Sequence, residues 1–324
     1  MDGAEGFLIA SRAIHFGAAM VLFGEMLFAW FFASGEANVA SAVGRRGTTA
    51  SSSQMRFFRV AVVAWACLMV SGASWLALAA IQMSGRSLAA LDGAILRTVL
   101  GSTIFGRTWL VRTVLALVLA GMSPVLFTRP IRRRWALIAI LLAGALLASL
   151  AWSGHANAQV GAQGAVHHLS DSAHLLAAGA WLGGLAPLAA LLRQPDPVAN
   201  RRALVNCAKT AARFGNAAAL CVGALILSGI VNACYLLPDW NALLETTYGR
   251  LLLLKICAFV VMLAIAVVNR KRLTPALHLT ADRPGTTTAA ARSLRRNALA
   301  EQLLGAAVIL LVAALGVLPP PMRM

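Results

Sequence analysis

The sequence predicts an all-α fold, a polytopic membrane helix bundle of about eight transmembrane helices. Of its 324 residues, 60% are hydrophobic and only 12% are charged, whereas a soluble domain carries about 25% charged residues. The mean hydropathy is +0.77, and the apolar residues fall in runs of about 20, the length that crosses a bilayer. Long continuous runs exclude a β-barrel, whose strands give short segments of alternating hydrophobicity.

The apolar runs define the elements in order, as one integral membrane domain over residues 1–324. The predicted spans are approximately 7–33, 60–83, 108–127, 135–152, 172–192, 214–237, 249–269 and 298–318. The N-terminal residues before the first run are acidic, whereas a secretory signal begins with basic residues. We therefore expect the first helix to be retained as a span. No clear internal repeat or separate soluble domain is evident from the sequence.

The basic residues set the expected orientation, because cytoplasmic loops are rich in arginine and lysine. The odd-numbered connections hold most of them: Arg45, Arg46, Arg56 and Arg59; Arg129, Arg132, Arg133 and Arg134; Arg193, Arg201, Arg202, Lys209 and Arg213; and Arg270, Lys271, Arg272, Arg283, Arg292, Arg295 and Arg296. Both termini and the fourth connection are thus predicted to be periplasmic. The loops account for most of the net charge of +17, so we expect no nucleic-acid partner.

The stretch from Trp152 to Gly184 holds an unusual concentration of metal-ligating residue types. It contains four of the six histidines together with an aspartate: His155, His167, His168, His174 and Asp171. Imidazole and carboxylate groups are ligands for divalent transition metals. The stretch therefore predicts a metal site at the outer face, and the alternative is a wet loop in which the histidines only form hydrogen bonds.

The spacing within this stretch favours the metal site. If a helix starts near His167, then His167, Asp171 and His174 are at positions i, i+4 and i+7 and share one face. His168 then points elsewhere, and His155 can close over the face from the loop. Neutral imidazoles are needed, so binding should weaken below about pH 6.5. Alanine at His167 and His174 should leave folding nearly intact, because both are expected near water.

Further candidates lie on the neighbouring spans. His15 on the first helix, about 12 Å from its outer end at 1.5 Å per residue, is a further expected ligand. Met83 at the outer end of the second span and Glu25 on the inner half of the first are secondary candidates for a path. A protonated Glu25 bonded to another helix is an equal alternative. Three basic residues near the outer ends of spans are expected to reach water with their head groups: Arg12, Arg112 and Lys255.

Five segments carry a resemblance to a known family. GHA at 154–156 with HHLSDSAHLLAAGAWLGGL at 167–185 resembles the core motif of the CopD/PcoD copper resistance membrane proteins. FGRTWLVR at 105–112 is similar to the start of that family's middle helix. The segments 248–277 and 294–320 resemble its penultimate helix with the following loop and its final helix. The resemblance covers most of the chain, with a CopD-like core at about 105–320 and its more specific part in the C-terminal half.

The resemblance implies a multi-pass protein of the bacterial inner membrane that functions in copper uptake or copper homeostasis. The implied ligand is copper, as Cu(II) or Cu(I), and the polar residues carried over from the motif are His155, His167, Asp171 and His174. The implied partner is a periplasmic copper carrier of the CopC type, besides membrane lipid.

Two other functions remain open at this point. A b-type haem electron carrier would use His15 and His174 as candidate axial ligands. A membrane scaffold without a site would leave the histidine cluster unexplained. The sequence has no nucleophile elbow, P-loop or HExxH motif, so we do not expect an enzyme.

Overall fold

The computed structural model describes residues 3–31, 49–122, 126, 133–154, 161–193, 201–237, 239–281 and 287–321. Eight of its helices are long and apolar enough to cross a membrane, and the described residues contain no strand. The helices in chain order are α1 (Gly3–Phe31), α2 (Thr49–Ser84), α3 (Gly93–Ser102), α4 (Ile104–Gly121), α5 (Arg133–Ala148), α6 (Gly161–Leu191), α7 (Arg201–Leu236), α8 (Ala242–Glu245), α9 (Thr247–Val268), α10 (Thr274–Ala281) and α11 (Thr287–Leu315). The predicted fold class is confirmed, with α3, α8 and α10 as short helices between the spans.

The long helices extend beyond the apolar runs that predicted them. Helix α2 begins at Thr49 and α11 at Thr287, about eleven residues before the predicted span in each case. Hydropathy marks the part of a helix that suits lipid, whereas the helix itself continues into polar sequence. Helix α6 likewise begins at Gly161, whose φ of 71° lies in the left-handed region that glycine adopts at little cost. His167 therefore lies inside this helix and not at its start.

Helices α1 and α6 form the centre of the bundle. A side-chain carbon at Gly183 would overlap the Met20 carbonyl oxygen and lie 2.8 Å from the Gly24 Cα atom. Small residues at a crossing let two membrane helices approach closely and gain van der Waals contact. Gly183 therefore lets α1 and α6 approach closely.

The two central helices have corresponding neighbours in the two halves of the chain. Helix α1 packs against α2 as α6 packs against α7, and both central helices contact both α5 and α11. One core includes Leu68 and Leu147, and the other includes Trp181 and Phe214. Each half has four spans, and because this number is even, the first helix of the second half starts on the same side of the membrane as the first helix of the chain. Both halves then have the same orientation, as in parallel repeats. This correspondence between the halves is not evident from the sequence alone.

Candidate metal site

Helix α6 presents its polar side chains to α7 at the end of the bundle that carries the fourth connection. We call this end the outer end, after the predicted topology. The His167 ring stacks on Tyr235, with ring centroids 4.9 Å apart and planes 14° apart. One turn further along, Asn232 Nδ2 donates to Asp171 Oδ1 at 3.3 Å. Both partners belong to α7, so these two side chains face the same neighbouring helix.

His174 continues this row one turn deeper. Its Nδ1 lies 3.0 Å from Ser228 Oγ, also on α7. The Ser228 hydroxyl donates its own proton to the Ala224 carbonyl at 2.6 Å, so it accepts from His174 Nδ1–H. Because a neutral imidazole carries one proton, the lone pair of His174 is then on Nε2. We call the row formed by His167, Asp171 and His174 the α6–α7 row.

A lysine from α9 belongs to the same site. Lys255 interacts electrostatically with both Asp171 and His174. The Oδ1 atom of Asn232 is buried without a hydrogen-bond partner among the described residues, although its amide nitrogen holds Asp171. The site therefore combines one carboxylate, one ammonium group and one amide oxygen that can still accept a hydrogen bond or a cation.

The other two histidines of the motif have different positions. His168 stacks on Trp152 with centroids 5.0 Å apart, and its buried Nδ1 has no hydrogen-bond partner within the described ranges. His155 lies outside the described residues. Gly154, which precedes it in the chain, lies beside the row, because a side-chain carbon there would be 4.0 Å from Asp171 Oδ2.

The described residues alone do not form a complete metal site. Within the ranges that the structure describes, no group of three or more His, Cys, Asp or Glu side chains is placed to hold a metal ion. The expectation that His167 sits near water is wrong, because its side chain is 3% exposed. Its contact with Tyr235 gives it a packing role, so alanine there should cost stability.

His15 lies apart from the α6–α7 row. It belongs to α1, and its Nδ1–H donates to the Leu68 carbonyl of α2 at 3.1 Å, with Ser71 Oγ at 3.3 Å. His15 and His174, the pair considered for haem, thus contact different helices, α2 and α7.

The two secondary candidates for a copper path, Met83 and Glu25, also belong to the first half of the chain. Met83 is exposed near the end of α2, and Glu25 is buried on α1. Glu25 interacts electrostatically with Arg56, and its Oε2 has no hydrogen-bond partner in the described part of the chain.

Helix α11 holds a buried carboxyl group that was not among the residues predicted from the sequence, Glu301. Its Oε1 accepts from Asn269 Nδ2 at 2.7 Å, and Asn297 Nδ2 in turn donates to Asn269 Oδ1 at 2.8 Å. The Trp181 indole also donates to Glu301, beside a largely apolar cavity of about 150 Å³. The sequence does contain a feature that could have identified this residue, because Glu301 is the one acidic residue in the predicted span 298–318.

Comparisons with known proteins agree with the resemblance. Residues 2–165 match the family model "copper resistance protein D-like, N-terminal domain", and residues 208–315 match "copper resistance protein D". The chain is 34% identical over 322 residues to copper resistance protein D of Pseudomonas syringae pv. tomato, covering 97% of each protein. It is 29% identical over 316 residues to inner membrane protein YebZ of Escherichia coli strain K12, covering 96% of this chain and 98% of that protein.

A further relative is longer than this chain. The chain is 28% identical over 320 residues to copper transport protein CutJ of Bacillus subtilis strain 168, with 96% of this chain but only 52% of that protein covered. No solved structure was found to match the chain. The two family models and the full-length relatives establish that the chain belongs to the copper resistance protein D family of multi-pass inner-membrane proteins.

Proposed function

We propose that the chain binds copper at the outer end of its second half and mediates copper entry into the membrane. The observation that supports this most is the α6–α7 row, in which side chains of ligand type follow one another along a single helix face. The row lies in a chain whose relatives include proteins named for copper resistance and copper transport. We assign the site to His174 and Asp171, with His155 from the fourth connection as the third ligand.

His174 is prepared to act as a ligand. Metal-bound histidines usually donate their second ring N–H to a fixed oxygen, which sets the tautomer and the ring orientation. Ser228 Oγ provides that oxygen at 3.0 Å from Nδ1, and the Leu225 carbonyl also accepts from the ring. The Nε2 atom is therefore the one that would bind copper.

Asp171 and Lys255 would set the net charge that a bound copper ion meets in the site. In the absence of a metal, the Lys255 ammonium interacts with the Asp171 carboxylate. Copper would bring its own positive charge to Asp171, and Lys255 would then disfavour copper by charge repulsion. Lys255 thus limits the affinity of the site, and a transport protein must release its ion as well as bind it.

The position of the site suggests how copper reaches and leaves it. A periplasmic carrier of the CopC type would deliver copper to the outer end. Along α6, Trp181 follows His174 by seven residues, which is about 10 Å along the helix axis. Because Trp181 contacts Glu301, that carboxyl group would be the next polar group on an inward path.

The experiment is a measurement of copper affinity on the full chain in lipid nanodiscs, by competition with a chelator of known affinity. Asp171→Asn and His174→Ala should each weaken binding at least about tenfold, or 1.4 kcal/mol. His278→Ala on α10 is the control, because His278 is exposed and belongs to neither the row nor the outer end. Copper stoichiometry and affinity equal to the wild type in the Asp171/His174 double variant would refute the site.

A further inference from the structure

The two halves of the chain carry the same histidine arrangement. In the first half, His15 Nδ1–H donates to the Leu68 carbonyl at 3.1 Å, beside the Ser71 hydroxyl, which donates to a carbonyl one turn earlier at 2.6 Å. In the second half, His174 and Ser228 form the same pair, and Ser228 also donates to a carbonyl one turn earlier. The matched residues on α2 and α7 are Leu68 and Leu225, Ser71 and Ser228, and Gly72 and Gly229.

The third span of each half begins with the same cap. The Thr103 hydroxyl accepts from the Gly106 amide at 2.8 Å, and the Thr246 hydroxyl accepts from the Gly249 amide at 2.9 Å. In both halves a side-chain carbon on the glycine would overlap a carbonyl of the preceding short helix. Six residues after each glycine the chain has a basic residue, which makes Arg112 the counterpart of Lys255.

The charge at one matched position is inverted. Three residues before the histidine, the second half has Asp171 and the first half has Arg12. In the second half this carboxylate interacts with Lys255. In the first half Arg112 instead faces a second guanidinium, and the two act on each other electrostatically.

Both guanidinium groups are buried around one indole ring. The central carbon of the Arg12 guanidinium lies 4.8 Å from the Trp75 ring centroid, and that of Arg112 lies 5.5 Å from it. The Arg12 side chain is 7% exposed and that of Arg112 is 2% exposed. Within the described part of the chain, no carboxylate acts on either group.

Helix ends compensate for part of this charge. Arg112 Nη2 donates to the Ser149 carbonyl at 3.2 Å and to Ser153 Oγ at 2.7 Å, just after the end of α5. Arg12 Nη2 lies against Gly316, just after the end of α11. The C-terminal end of a helix carries about half a negative charge, so among the described residues two such ends leave about one positive charge without compensation.

Two buried guanidinium nitrogens have no hydrogen-bond partner among the described residues: Arg12 Nε and Arg112 Nη1. The buried His15 Nε2 also has none, but it carries the lone pair of the ring, because Nδ1–H donates to the Leu68 carbonyl. Buried water can satisfy such atoms, but it does not neutralise the charge, and an uncompensated buried charge is costly. A lipid phosphate group would not reach this charge, because both guanidinium groups lie inside the bundle.

We propose that the first half holds a small monovalent anion, of the size of chloride, between Arg12 and Arg112. The anion takes the place of the carboxylate that Asp171 supplies at the matched position of the second half. Its charge of minus one equals the charge that the helix ends leave over. The proposal does not depend on copper binding, because it rests on the first half alone.

The test measures halide binding to the full chain in dodecyl maltoside, a detergent without charge. The melting temperature is followed as sodium chloride or sodium bromide replaces sodium gluconate at constant ionic strength, which keeps screening constant. We expect a saturable rise with both halides. Crystals grown with bromide should give an anomalous peak within hydrogen-bond distance of Arg12 Nε and Arg112 Nη1. A halide-independent melting temperature together with no such peak, as for a site that holds only water, would overturn the proposal.

Variants separate an anion site from a general effect of salt. Arg12→Gln should lower the halide affinity at least tenfold. Arg12→Asp should abolish the halide response and, in gluconate, melt above Arg12→Gln, because it restores the carboxylate found at Asp171. Lys255→Gln in the second half is the matched control and should keep the full halide response. A response lost in Lys255→Gln or retained in Arg12→Asp would also overturn the proposal.

Discussion

The serine that orients His174 offers a sharp test of the proposed copper site, because the chain contains its own control. Ser228→Ala removes the hydroxyl that accepts from His174 Nδ1–H at 3.0 Å. The variant keeps the Nε2 ligand atom and changes only what fixes the ring. Copper affinity should therefore fall without a change in the number of copper ions bound.

The expected size of the effect follows from the remaining contacts. Loss of a residue that orients a metal ligand costs about 10- to 100-fold in affinity. The Leu225 carbonyl still accepts from the ring in the variant, so we expect the lower end, about 10-fold or 1.4 kcal/mol. The lost hydroxyl bond to Ala224 should cost about 0.5–1.5 kcal/mol of folding stability, which a melting curve measures separately.

The assay is chelator competition at pH 7 on Ser228→Ala and on Ser71→Ala. Ser71 has the same geometry toward His15 in the first half, so its variant should lose similar stability and keep its copper affinity. An unchanged affinity in Ser228→Ala would refute the role of Nε2 as a ligand. Equal losses in both variants would show that the effect is one of stability.

Three further predictions concern packing, charge and topology. Gly183→Val should lower the melting temperature by several degrees, since overpacking costs about 1–3 kcal/mol, whereas Gly223→Val, with open space around it, should change it little; equal melting temperatures for the two variants would contradict the helix crossing. Lys255→Met should raise copper affinity several-fold in chelator competition, because it removes a cation that acts on His174; a loss of affinity would mean that Lys255 helps to form the site. Reporter fusions at Arg202 and at the C-terminus should report the cytoplasm and the periplasm respectively, and the same side for both would contradict the predicted topology.

The number of spans was predictable because it depends on local composition. Apolar runs of about 20 residues are required by the thickness of the bilayer, and each run became one helix. The shared face of His167, Asp171 and His174 was predictable for the same reason, since it follows from 3.6 residues per turn. Their partners on α7 were not, because the register between α6 and α7 depends on contacts between distant parts of the chain.

The repeat was hidden from the sequence because few residues in it remain the same. The Ser-Gly pairs at 71–72 and 228–229 and the Gly-Arg pairs at 106–107 and 249–250 are preserved, but most lipid-facing and core positions differ. Apolar side chains of similar volume exchange at little cost in a helix bundle. The hydrogen bonds of His15 and His174 revealed the repeat, since they require particular atoms at particular positions.

The repeat also gives a physical reason for expecting only one half to take up copper. Both halves hold a histidine whose Nδ1 bonds to a neighbouring helix, so the orientation of the ring does not distinguish them. The charge three residues earlier does, because Asp171 attracts a cation whereas Arg12 repels it. If one half attracts a cation and the other half repels it, the cation is directed to a single path. We therefore expect His15 to contribute less to copper binding than His174, although both histidines occupy the same place in their halves.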